Sequence, residues 1–166
     1  MAPRKDTGDT SYADAYRNVD FRAHPELYKI GKGEQGVLMA EPYKSEILPF
    51  WRFATPEIAQ ESAEKIYGLF KSYKEQNDFV GMDMARKFLQ MGFTRSRRYA
   101  NHASGGKYDE QGNVRPQDAG SEQSPKAESA RIFYEYYDRA RHDKTYNVLK
   151  EQHKSRQNNV NNATKE

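Results

Sequence analysis

Residues 78–102 read DFVGMDMARKFLQMGFTRSRRYANH, and how this stretch is divided decides the fold. Asp78 offers a carboxylate to the first free amides of a helix. Met82, Ala85, Phe88 and Leu89 then recur at helical spacing as an inner face. Gly92 stands where helices commonly stop, in the left-handed conformation that glycine adopts without strain. Two residues later Thr94 carries the hydroxyl of an N-cap, and Arg95, Arg97, Arg98, Tyr99, Asn101 and His102 follow. The stretch therefore predicts two helices joined by a very short turn, a helix-turn-helix-like corner.

Outward from this corner the signals stay helical. Upstream, Thr55-Pro56-Glu57 combines a capping hydroxyl, a first-turn proline and an acid at the positive end of the helix dipole. Ala59, Ala63, Ile66, Phe70 and Tyr73 continue it to about Gln76. Downstream, residues 109–123 form a polar loop too long for a turn. Ser124-Pro125 then starts a helix with Ala130, Phe133, Tyr137 and Ala140 as its stripe, and Asp143 caps another that turns Tyr146, Leu149 and His153 inward. Nearer the N-terminus, residues 27–30 and 37–40 read as two short strands around a glycine-rich loop. The fold class expected is α+β, mainly α: a short N-terminal β-hairpin packed on four or five helices. Its core should contain Ile47, Phe50, Trp51, Ile66, Phe70, Phe88, Leu89, Phe133 and Tyr137. One globular domain is expected over residues 15–155, between a disordered arm (1–14) and a disordered tail (156–166).

The composition of the 166 residues fits one such domain. Mean hydropathy is −1.12, yet twelve Tyr and eight Phe are too many aromatics for a disordered chain. Because tyrosine brings a hydroxyl that needs a partner, these rings are expected at the core margin. There is no cysteine, which excludes disulfides, thiolate chemistry and cysteine-ligated zinc. No apolar run approaches the length of a membrane helix and the first residues lack a signal-peptide pattern, so a cytoplasmic location without membrane contact is expected.

Three blocks resemble a known family: residues 31–38 (GKGEQGVL), 41–53 (EPYKSEILPFWRF) and 78–102. They are similar to a family of small cytoplasmic proteins known only as a domain of unknown function, found in bacteria, fungi and large tailed phages. The resemblance spans roughly residues 16–150. It implies a whole natural domain and carries over no catalytic residue.

Residues 31–36 satisfy the G-x-G-x-x-G pattern of dinucleotide loops. Such a loop must open directly into a helix, whereas Val37-Leu38-Met39 is strand-like and Pro42 follows closely. A structural turn with positive φ and no nucleotide affinity is the better reading; an enzyme with a phosphate-binding loop here is the weaker one. The four histidines are not paired at metal-ligating helical spacing, and no nucleophile with its base is evident. No catalytic residue, cofactor or metal is therefore expected. Charge is more informative. Residues 79–107 carry six basic groups against one acid, Asp83, although the whole chain has a net charge of only +3. On a helix-turn-helix reading of residues 78–108, Arg86, Lys87, Thr94, Arg95, Arg97, Arg98, Asn101, His102 and Lys107 supply phosphate and base-edge contacts. Tyr99 can stack on an exposed base. Nucleic acid, DNA or RNA, is the expected partner; a protein partner bound by the same basic surface is the alternative.

Overall fold

The computed structural model describes residues 14–31, 33–102, 108–114, 116 and 124–163, the last four by backbone alone. Five α-helices account for most of them: α1 (Tyr43–Ile47), α2 (Pro56–Glu75), α3 (Phe79–Asn101), α4 (Pro125–Arg141) and α5 (Lys144–Ala163). Two 3-10 turns, Pro25–Leu27 and Leu48–Phe50, lie before α2.

The helix starts are where the capping residues put them. Thr55 accepts from the Ile58 amide at 3.2 Å, Asp78 from Gly81 at 3.1 Å and Ser124 from Ala127 at 3.1 Å. Asp143 accepts from the Tyr146 amide at 2.9 Å, while its other oxygen takes a hydrogen bond from Lys74 at 2.7 Å and ties α5 to α2. Between α2 and α3 the chain reverses through Asn77, whose φ of 53° is one that asparagine tolerates. Where α3 leaves this turn, a Cβ on Gly81 would lie 2.5 Å from the Tyr73 ring, so only glycine fits.

The expected corner at Gly92 does not form. α3 runs unbroken from Phe79 to Asn101. Gly92 is buried within it, and a Cβ there would lie 2.4 Å from the Phe133 ring of α4. This glycine lets two helices approach rather than ending one. Thr94 caps nothing: its hydroxyl lies 3.2 Å from the Met91 carbonyl and 3.1 Å from the Glu34 carboxylate.

The N-terminal hairpin is also absent. Among the described residues there is no β-strand, only an isolated bridge between Tyr108 and Val114. Val37 and Ala40 are the buried members of their segment, three residues apart, which is a turn spacing rather than a strand's alternation. The Val37 amide accordingly bonds to the Glu34 carbonyl and that of Met39 to Gly36. At the other end α5 continues to Ala163, past the end expected near residue 156. The expected arm falls almost wholly outside the described residues.

α2, α3 and α4 pack on one another, and α5 and the N-terminal segment cover them. Ile47, Ile66, Phe70, Phe88, Leu89 and Phe133 are fully buried. Trp51 and Tyr137 are partly buried against this core, and Phe50 is 40 % exposed beneath the Lys65 ammonium. The tyrosines do not keep to the margin. Tyr28, Tyr43 and Tyr146 are each 1 % exposed, and their hydroxyls are satisfied by carboxylates: Tyr28 and Tyr146 by Asp83, Tyr43 by Asp78. Tyr73 reaches Glu46 in the same way at 2.8 Å. Tyr16, also buried, bonds instead to the Lys29 backbone, donating to its carbonyl at 3.2 Å and accepting from its amide at 3.0 Å. A polar chain rich in tyrosine can thus build a core because its buried hydroxyls are paired, four of them with acids.

Candidate functional site

Past Gly92 the sequence of α3 turns basic and one side of the helix leaves the core. Ser96 and Ala100 stay buried, while Arg95, Arg98 and Tyr99 are exposed. Arg95 and Tyr99 are four residues apart and so stand on one side of the helix. Tyr99 lies beside Phe53, with ring centroids 6.1 Å apart and planes 31° from parallel. Lys126 of α4 covers the Phe53 ring at 5.1 Å and donates to the Phe53 and Ala54 carbonyls at 2.9 and 3.0 Å. Burial draws the Lys126 pKa down. Together with Arg52, Ala54 and Ile58 these side chains line an open groove of about 530 Å³, with no carboxylate among the described residues of its lining.

Several of the residues expected to touch nucleic acid are not on this surface. Arg86 and Lys87 are 6 % and 1 % exposed, which closes them to a macromolecule in solvent. Thr94 is engaged with Glu34. The Asn101 side-chain oxygen accepts from Arg97 at 2.9 and 3.1 Å, using the atom an adenine amino group would need. His102 is buried, so Arg95, Arg98 and His102 do not share an exposed face. Lys107 lies outside the described residues. Arg95, Arg97, Arg98 and Tyr99 therefore carry what remains of the expected site. Arg52, Phe53 and Lys126 join them without having been anticipated. The signal for the first two was the alternation of ring and cation in Trp51-Arg52-Phe53, which the density of apolar residues around it masked.

A family model described as a domain of unknown function, DUF4385, matches residues 11–156. The chain belongs to that family. Neither a curated protein nor a solved structure matches it.

In this DUF4385 chain the two missing cations have a structural role. Asp83, fully buried, faces the Arg86 guanidinium at 2.6 Å and the Lys87 ammonium at 3.7 Å, and accepts from Tyr28 and from Tyr146 at 2.6 Å. Burial alone would raise the Asp83 pKa; Arg86, Lys87 and the two hydroxyls outweigh it and hold the carboxyl below its ordinary range. Lys87 goes the other way. Burial pushes it down to about 8 against the pull of Asp83, and it donates to the Gln35 carbonyl at 2.8 Å beneath the Tyr28 ring. Arg86 donates to the Gly33 carbonyl at 2.7 Å.

These bonds also tie down the glycine-rich loop. Gly33 and Gly36 have φ of 57° and 77°, so the positive-φ turn is real, though it is not a hairpin. Its carbonyls point at two buried cations and no helix follows directly, an arrangement opposite to a dinucleotide loop, whose amides face phosphate. Among the described residues no group of His, Asp and Glu is placed to hold a metal, and no helix is long and apolar enough to cross a membrane.

Proposed function

We propose that the protein binds nucleic acid in single-stranded form, on the surface made by the C-terminal half of α3 and the 52–54 segment. The observation that carries this reading is the pair of partly exposed rings, Phe53 and Tyr99, set side by side among cations with no carboxylate among the described residues that line the groove. Bases stack on aromatic faces whatever their sequence, and the phosphates between them are met by Arg and Lys. Arg95 and Arg98 are exposed within about one turn of Tyr99, and neither guanidinium forms a hydrogen bond or ion pair with a described residue. Among those residues nothing competes with phosphate for their charge. A duplex reader would instead insert the start of a recognition helix into the major groove. Here the first half of α3 is buried, which favours an unpaired strand.

Fluorescence anisotropy with labelled oligo-dT, oligo-U and a mixed-sequence duplex, at several salt concentrations, tests this. Single strands should bind more tightly than duplex. Tyr99→Ala should weaken binding by about 1–3 kcal/mol, the range for one stacked base. Replacing Arg95, Arg97 and Arg98 by Ala should leave the fold intact and flatten the salt dependence by about 0.7 for each phosphate that is no longer neutralised. No binding at low salt, where even nonspecific basic surfaces associate, would end the reading.

A further inference from the structure

A second concavity, of about 390 Å³, lies where α3, α4 and α5 meet the turn at Gly31 and Gly33. Its wall includes Arg86, Arg141, His142 and Lys150 and, among the described residues, no carboxylate. None of these residues lines the groove of Phe53 and Tyr99.

The charges do not balance. Asp83 is shared by Arg86 and Lys87, which leaves that trio with one positive charge in excess. Arg141 is matched by Asp138 at 2.7 Å, and His142 also leans on Asp138. Lys150 adds a second positive charge with no ion-pair partner of its own: its ammonium forms no hydrogen bond or ion pair with a described residue and stands 5.8 Å over the Tyr146 ring. Burial, then Arg86 and Lys154, lowers the pKa of Lys150 and outweighs the opposing pull of Asp83 and Glu151, as expected for an ammonium held half-buried near other cations. An anion between Lys150 and Arg86 would relieve that repulsion.

The Arg86 guanidinium is also held in place by the protein itself. Arg86 is held by the Gly33 carbonyl and the Gln90 side chain, both at 2.7 Å, and by the Tyr146 hydroxyl at 3.2 Å. A guanidinium already fixed in place loses little freedom when it meets a ligand. The rings of the wall are taken. Tyr146 stacks on Phe79 at 5.8 Å as well as lying under Lys150, and Tyr137 lies under the Arg141 guanidinium at 5.2 Å. A nucleobase would find no open ring here, whereas a compact anion needs none.

We propose that this cavity binds a compact dianion of the phosphate class, inorganic phosphate or the phosphate of a small monoester. Lys150 and Arg86 are its charged contacts, and Arg141 and His142 complete the basic wall. Two charges on the ligand answer the two in excess on the protein. The cavity and the α3 surface can bind independently of each other.

Isothermal titration and thermal melting of the full chain test it, with sodium phosphate and glycerol 3-phosphate as ligands and sodium chloride at matched ionic strength as control. Phosphate should bind saturably and raise the melting temperature beyond the chloride control, because a ligand that binds only the folded state stabilises it. Lys150→Met should weaken phosphate binding by about tenfold or more, equivalent to about 1.4 kcal/mol. If that variant melts far below the parent, Lys150→Gln takes its place. Tighter binding of glycerol 3-phosphate marks an organic ester as the ligand; equal binding marks the phosphate group itself. Replacing Arg95, Arg97 and Arg98 by Ala should leave phosphate binding unchanged, which separates this site from the α3 surface. A response to phosphate no larger than that to chloride, or unaltered affinity in the Lys150 variant, overturns the proposal.

Discussion

Replacing Gly92 by alanine asks directly why α3 is unbroken. In a helix interior the change by itself should stabilise, since alanine is favoured over glycine by about 0.8–1.0 kcal/mol. At this position, though, the new Cβ would meet three carbons of the Phe133 ring at 2.4–2.6 Å, about 1 Å inside ordinary carbon contact. Phe133 is fully buried, so its ring cannot swing into solvent. Overpacking of this kind costs about 1–3 kcal/mol. Gly68 in α2 supplies the control, because a Cβ there meets nothing within 4 Å and only the helix gain should remain. The Gly92→Ala variant should therefore be less stable than Gly68→Ala by about 1–3 kcal/mol. Equilibrium urea unfolding measures both, with an unchanged denaturant slope confirming that the transition stays two-state. A glycine in a left-handed cap would also resist alanine, so the decisive measurement is a double-mutant cycle. Phe133→Leu opens space at the contact, and in that background the penalty at Gly92 should shrink or reverse. If the penalty persists undiminished with leucine at 133, or if Gly92→Ala stabilises as Gly68→Ala does, Gly92 is not a packing glycine.

The buried charges lead to two more expected outcomes. Asp83→Asn leaves Arg86 and Lys87 buried together without their carboxylate and should destabilise by about 3–5 kcal/mol in the same urea assay; a change under about 1 kcal/mol would mean that water reaches the trio. Lys87, with its folded-state pKa pushed down to about 8, releases its proton in the folded state before the unfolded chain does. From pH 8 to about 10 the unfolded state therefore binds more protons, and stability should rise with pH by at most about 1.4 kcal/mol per unit. Lys87→Met should remove that rise, and an identical pH profile in the variant would show that other groups produce it. Above about pH 10 the trend turns, because Tyr28 and Tyr146 hold their protons in the folded state where unfolded tyrosines ionise.

What could be read from the sequence was local. Thr55, Asp78, Ser124 and Asp143 announce helix starts because an N-cap bonds to an amide only two or three residues away, and all four do so. The stripes through Ile66, Phe70, Phe88, Leu89 and Phe133 were legible for the same reason: helical spacing alone gathers them on inner faces. The basic character of residues 95–98 and the stacking potential of Tyr99 could also be read before any contact was known. What the sequence could not settle involved partners far along the chain. Gly92 looks like a helix stop until Phe133, 41 positions later in the sequence, explains why no side chain fits there. Arg86 and Lys87 look like surface charge until Asp83 is seen buried between them and Tyr28 and Tyr146 are seen bonded to it. Phe53 becomes a surface ring only when Tyr99 and Lys126 are set beside it, and Lys150 acquires significance only next to Arg86. Capping and periodicity act within a turn or two of the backbone, so composition and spacing encode them. Whether a glycine is a hinge or a contact, and whether a cation is exposed or buried, depends on which distant side chain occupies the neighbouring space, and only the packing of α2, α3, α4 and α5 decides that.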